Sequence, residues 1–132
     1  MPKQCFNDIY KVGKQLGAGA FSVAYEAHLR SDPSRKFAVK ITKRKNITVD
    51  IEKTIRSEID IMRSLDHPNI VRYICHFEEE KYWFVVLELL QGGEVFDRIV
   101  KKLRYDEKVA RDLVYIVLQA VKYVHDRNIV HR

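Results

Sequence analysis

Apolar and polar positions along the first part of the chain alternate with a period near two. Ile9 to Leu16 alternates weakly, Gly17-Ala18-Gly19-Ala20 interrupts it, and Val23 to Leu29 resumes it, which predicts a hairpin with a flexible, glycine-bearing tip. After the turn Ser31-Asp32-Pro33-Ser34, the run Phe37-Ala38-Val39-Lys40-Ile41 predicts a third strand. Phe37, Val39 and Ile41 share one face there, and Ala38 and Lys40 the other. From Thr48 the period lengthens, with Ile51, Ile55, Ile59, Met62 and Leu65 at helical spacing and Asp50 and Glu52 near the start, where the helix dipole favours acids. This amphipathic helix ends at Asp66-His67-Pro68-Asn69. Two more strands, Ile70 to Phe77 and Tyr82 to Glu88, flank the acidic turn Glu78-Glu79-Glu80. Gly92-Gly93 breaks the chain. A short helix from Glu94 to about Val100 then leads to a longer one, N-capped by Asp106 and running to about Asp126.

The last helix carries apolar residues nearly all the way round, among them Val109, Leu113, Ile116, Val117, Ala120 and Val124. Such a helix needs cover on more than one face. Only six residues follow Asp126, so the pattern predicts that its domain continues past Arg132.

Composition narrows the classes. A chain of 132 residues that is 46% apolar suits one ordinary domain and argues against disorder. No apolar run exceeds six residues, the length of Tyr82 to Leu87, far short of the ~20 that span a bilayer, and no signal-peptide core follows Met1-Pro2-Lys3. A soluble, cytoplasmic protein without a membrane partner is expected. The two cysteines, Cys5 and Cys75, lack the spacing of a zinc site or a disulfide framework, and both are expected as free thiols. The net charge of +6 comes from short basic clusters interleaved with acids. That pattern reads as solvated surface rather than a nucleic-acid face.

Three features carry candidate chemistry. In Leu16-Gly17-Ala18-Gly19-Ala20-Phe21-Ser22-Val23, two glycines would let backbone N–H groups approach an anion, although a plain hairpin tip has the same composition. A Rossmann fingerprint is disfavoured, since a strand follows and Ser22 stands at the third glycine position. Lys40 taken alone reads equally as an exposed charge on an edge strand. Glu58 lies beside Ile55, Ile59 and Met62, near the apolar stripe, where a lysine partner would relieve the cost of an isolated carboxylate; pairing with solvent or with the neighbours of Arg56 is the alternative.

In order, the glycine loop, Phe37-Ala38-Val39-Lys40, Glu58, Leu87-Glu88-Leu89-Leu90-Gln91-Gly92-Gly93-Glu94 and His131-Arg132 resemble a eukaryotic-type serine/threonine protein kinase. The stretches from Asp66 to Val71 and from Gly92 to Ile99 are most similar to the calcium/calmodulin-dependent group. The resemblance implies an α+β fold: a kinase N-lobe of five antiparallel strands and one helix over residues 10–90, after an N-terminal extension 1–9. The end of the hinge and the first two helices of a partial C-lobe would occupy 91–132.

It further implies that Gly17, Ala18, Gly19, Ala20, Phe21 and Ser22 cover the phosphates of ATP, with Phe21 at the tip and Ser22 stiffening the loop. Leu16, Val23 and Ala38 would sandwich the adenine. Lys40 would hold the α- and β-phosphates, oriented by Glu58. Leu87 would be the gatekeeper, the Glu88 carbonyl and Leu90 amide would read the adenine edge, and Glu94 would bond the ribose. Met62, Tyr73 and His131 would stack in a hydrophobic spine. His131-Arg132 would open the catalytic His-Arg-Asp loop, so its aspartate and the Mg²⁺ ligands fall after Arg132. The expected parent activity is phosphoryl transfer from ATP to a protein substrate, with Mg²⁺ as cofactor and any calmodulin or calcium-sensor control also past Arg132. The 132 residues alone are expected to be inactive. A non-catalytic, pseudokinase-like module that binds nucleotide or a partner is the rival reading.

Overall fold

The computed structural model describes residues 3–102 and 106–132. Five strands, β1 (Tyr10–Ala18), β2 (Ser22–Leu29), β3 (Lys36–Lys43), β4 (Tyr73–Glu78) and β5 (Tyr82–Glu88), form one antiparallel sheet in the order β1-β2-β3-β5-β4. The helices are α1 (Phe6–Ile9), α2 (Val49–Ser64), α3 (Val95–Lys101) and α4 (Glu107–His125). β4 begins later than its apolar pattern predicts, because Pro68 to Ile70 lie in a turn and the Ile70 N–H donates to the His67 carbonyl at 3.2 Å.

Backbone contacts divide the chain into two units, Met1–Ser64 with Arg72–Leu89, and Leu65–Val71 with Leu90–Arg132. In the first, both faces of β5 are buried. Phe84 and Val86 join Phe37, Val39, Ala27 and Tyr10 on one face, while Trp83 and Val85 meet Ile59 of α2, with Ile55, Met62, Tyr73 and Leu87 around them. The period-two pattern of β3 is realised on both sides: Phe37 and Val39 are buried in the first cluster, and Lys40 points to the other face. Thr48 starts α2, its hydroxyl accepting from the Ile51 N–H at 3.3 Å.

The strand pattern predicts nothing before Ile9, yet α1 brings Phe6 into the core. Its ring is fully buried, stacked 4.3 Å from Phe84 and 5.3 Å from Tyr10, with Phe77 edge-on at 5.7 Å. The Phe6 N–H donates to Glu79 at 2.8 Å and Arg30 Nε to the Asn7 carbonyl at 2.6 Å. These bonds strap residues 3–9 across the sheet face opposite α2, where a solvent-exposed apolar layer would otherwise stand.

In the second unit the Asp106 carboxylate accepts from the Lys108 N–H at 3.1 Å, the cap expected for α4. Past Asp126, Asn128 takes a left-handed φ of 58° and the Ile129 N–H closes onto the Val124 carbonyl at 3.0 Å, which ends the helix. The segment 65–71 is tied to α4 by one side chain: the Asp66 N–H donates to Tyr123 Oη at 2.9 Å, and the His67 and Tyr123 rings lie 5.0 Å apart. α4 buries none of its side chains; Val114, Tyr115, Val117 and Leu118 are all more than half exposed. Among the described residues no helix is long and apolar enough to cross a membrane.

Candidate functional site

Lys40 sits in the middle of the sheet, since β3 pairs with β2 on one side and β5 on the other; the edge-strand alternative is excluded. Its ammonium lies 3.7 Å from the Glu58 carboxylate of α2. Both side chains are about half exposed, so burial does not drive the pair as the amphipathic pattern suggested. One residue before Ile59, Glu58 is rotated about 100° around the helix, out of the buried stripe and toward the glycine loop. An exposed pair of this kind adds roughly 0–1 kcal/mol of stability; its effect is to hold a flexible amine in one place.

The pair borders a cavity of about 370 Å³ lined by the loop residues Gly19, Ala20, Phe21 and Ser22 and by Thr42 and Ile55. Gly17 and Ala18 close β1 opposite Ala24 and Val23. The Gly19 N–H donates to the Ser22 carbonyl at 2.7 Å, and Phe21 projects into solvent. Neither loop glycine is required by the fold. A Cβ at Gly17 would meet nothing within 4 Å, one at Gly19 would make only ordinary contacts, and neither residue has a left-handed φ. Gly92 and Gly93 differ: both have positive φ, and a Cβ on Gly92 would come within 2.6 Å of the Arg98 guanidinium, which donates to the Gly92 carbonyl at 3.0 Å.

The register decides which neighbours share the face of Lys40. Cross-strand partners point the same way, so Ala38, paired with Leu87, and Thr42, paired with Trp83, stand on that side. On β2 the residue opposite Lys40 is Ala24. Val23 pairs with Ile41 and lines a second groove of about 790 Å³ with Val12, Tyr25, Tyr82 and Phe84 of the opposite face, which meets the first only at the loop residues 19–22. The expected placement of Val23 beside Ala38 is therefore corrected by one residue to Ala24. Two adjacent small or apolar residues are indistinguishable by composition, and only the strand register separates them. Leu16 lies at an irregularity of β1 between Gln15 and Gly17 and is half exposed.

Glu88 closes the first unit's end of the site: its N–H donates to the Arg72 carbonyl and its carboxylate accepts from the Arg72 N–H, both at 2.9 Å. Met62 and Tyr73 pack against the Ile59, Trp83 and Val85 cluster. Leu90, Glu94, His131 and Arg132 belong to the second unit. There Leu90 is exposed, and Glu94 precedes α3 without its side chain capping the helix. His131 and Arg132 are exposed. Both cysteines are free. The Cys75 thiol is half-buried 3.6 Å from the Tyr10 hydroxyl, and burial raises the pKa of each above its ordinary value.

A five-stranded antiparallel sheet, one helix presenting a carboxylate to a mid-strand lysine and a glycine loop beside them are the arrangement of a protein-kinase N-lobe. Residues 10–132 match the protein kinase domain family model, and the chain belongs to that family. It is 44% identical over 95% of its length to calcium/calmodulin-dependent protein kinase type 1 of Macrobrachium nipponense, covering 36% of that protein. It is 42% identical over 95% of its length to calcium/calmodulin-dependent protein kinase type IV of Mus musculus, covering 26% of it. Myosin light chain kinase A of Dictyostelium discoideum is 39% identical over 94% of the chain and is covered over 42% of its own length. The chain thus spans between a quarter and a half of these curated relatives.

Proposed function

We propose that this chain is the ATP-binding part of a protein kinase that transfers the ATP γ-phosphate to Ser or Thr of a protein substrate. Residues 10–90 act as its nucleotide lobe and 91–132 as the hinge end and first C-lobe helices. The observation that supports this most directly is the Lys40–Glu58 pair at 3.7 Å, facing a cavity bounded by the glycine loop. Lys40 supplies a fixed positive charge for phosphate oxygens, and Glu58 keeps it in place. Gly17 and Gly19, for which the fold itself has no need, let the loop backbone come close to the phosphates. Ala24, Ala38 and Leu87 offer small and apolar surface to the base, with Leu87 as gatekeeper and the Glu88 backbone as a polar partner.

Mg²⁺ is not assigned to this chain. In the kinase family Mg²⁺ neutralises charge on the phosphates during transfer, and that chemistry is proposed for the longer kinase rather than for these 132 residues. Phosphoryl transfer depends on positioning and on charge neutralisation by the metal, and the 132 residues by themselves are expected to bind nucleotide without turning it over. Names of relatives that include calmodulin support a calcium-sensor input acting on sequence outside this chain.

The test is nucleotide titration of the chain beside phosphoryl-transfer assays of a longer kinase that contains it. Lys40→Met in the longer protein abolishes transfer while changing ATP affinity far less, because orientation weighs more in the transition state than in ground-state binding. Near-normal turnover by that variant, or a wild-type chain that does not bind ATP, overturns the assignment.

A further inference from the structure

Glu78, the last residue of β4, and Glu79, which leads into β5, lie outside the proposed nucleotide site yet carry several side-chain bonds. Arg56 of α2 donates to the Glu78 carboxylate from Nη1 and Nη2, at 3.0 and 2.5 Å. Arg44, just after β3, reaches the same carboxylate at 3.4 Å and Glu52 of α2 at 2.5 Å, and it also donates to the Glu79 carbonyl at 2.8 Å. The Trp83 indole N–H donates to Glu52 at 3.1 Å, and both guanidinium groups lie over the Trp83 ring, at 4.9 and 5.7 Å from its centroid. Glu78, Glu52 and Arg44 are each about three-quarters buried, so these charge-assisted bonds are less screened than surface pairs. From the other face of the sheet, Lys3 donates to the Glu78 carbonyl at 3.2 Å and Phe6 to Glu79.

Arg56 is two residues before Glu58, and on an α-helix a shift of either carries the other with it. We infer that Glu78 is a positioning residue: by clamping Arg56 and Arg44 it sets the place of α2 against the sheet, and through α2 the place of the Glu58 carboxylate against Lys40. Glu80, exposed and without a hydrogen bond or ion pair among the described residues, has no such part. The inference rests on the kinase reading for its catalytic consequence, though not for the clamp itself.

Hydrogen exchange of the chain tests the clamp. In Glu78→Gln the α2 amides exchange about tenfold faster while those of β3 and β5 change less than about twofold, as expected of a local opening; Glu80→Gln matches wild type. Arg56→Gln, which breaks the clamp from the exposed side, gives the same α2-selective result even where Glu78→Gln folds poorly. Unchanged α2 exchange in Arg56→Gln, or equal acceleration throughout the sheet, overturns the inference. In a longer kinase that contains these residues, Glu78→Gln lowers kcat about tenfold, and by less than about twofold when Glu58→Gln is already present, since coupled residues are non-additive. Equal losses in both backgrounds would reduce Glu78 to a structural role. A wild-type chain that fails to bind ATP strikes at the kinase reading and leaves the exchange result to decide the clamp.

Discussion

Phe6 and Phe84 lie ring on ring, their centroids 4.3 Å apart and their planes within 3° of parallel, although 77 positions separate them and Phe6 precedes the residues matched to the family. Phe6→Ala removes a fully buried ring contacting Tyr10 and Phe77 as well. Large-to-small core changes of this kind cost about 3–5 kcal/mol. Urea unfolding followed by Trp83 fluorescence is expected to show a loss of that size; a change below about 1 kcal/mol would mean that the strap is dispensable.

The register of β2 separates two neighbours that composition does not. Ala24 shares the face of Lys40 and Val23 the opposite one. If the face of Lys40 holds the nucleotide as proposed, Ala24→Met is expected to weaken ATP binding to the chain about tenfold or more by adding bulk to that face, whereas Val23→Met changes it less than about twofold. The reverse order in a nucleotide titration would return Val23 to the adenine wall.

Acid destabilises the first unit in two stages. His76 is held below its ordinary pKa chiefly by burial, so the folded state resists a proton that the unfolded chain takes up below about pH 6.5, and stability falls as pH drops through that window. Glu52 is lowered first by the Trp83 N–H and then by Arg44. Its contribution is complete above the unfolded value of about 4.3 and is lost as pH falls through the lower folded value. Urea midpoints recorded from pH 8 to pH 3 are expected to decline gently below 6.5 and more steeply below 4.3, with Glu52→Gln removing part of the second drop. Stability that rises toward pH 4 would contradict both assignments.

α4 shows Val114, Tyr115, Val117 and Leu118 to solvent. Each large apolar side chain left in water forgoes roughly 1.5–3 kcal/mol of burial, which in sum rivals the stability of a small domain. The 132-residue chain is expected to bind a hydrophobic dye and to self-associate on size exclusion, and Val117→Glu with Leu118→Lys to reduce both. A dye-silent monomer with a cooperative, high-temperature melt would refute this.

Much of the site is legible along the chain because its signals are local. Lys40 alternates with buried neighbours in β3, the glycines interrupt a strand pattern, and the spacing from Ile51 to Met62 places Glu58 on a helix. The fold's elements follow for the same reason: Asp106 caps α4 through a bond to Lys108, two residues on, and Thr48 caps α2 three residues before Ile51.

What the chain by itself determines is the kind and order of its elements, because periodicity, caps and turns are interactions between residues a few positions apart. Tertiary structure alone decides the rest. A one-residue difference in β2 register chooses Ala24 over Val23, and the half-exposed setting of Glu58 replaces the burial that its neighbours suggest. Phe6 meets Phe84, and Arg56 meets Glu78, across separations that no period encodes. Such pairs form only after the sheet has closed, when burial of apolar rings and the pairing of partly desolvated charges repay the entropy of bringing distant segments together.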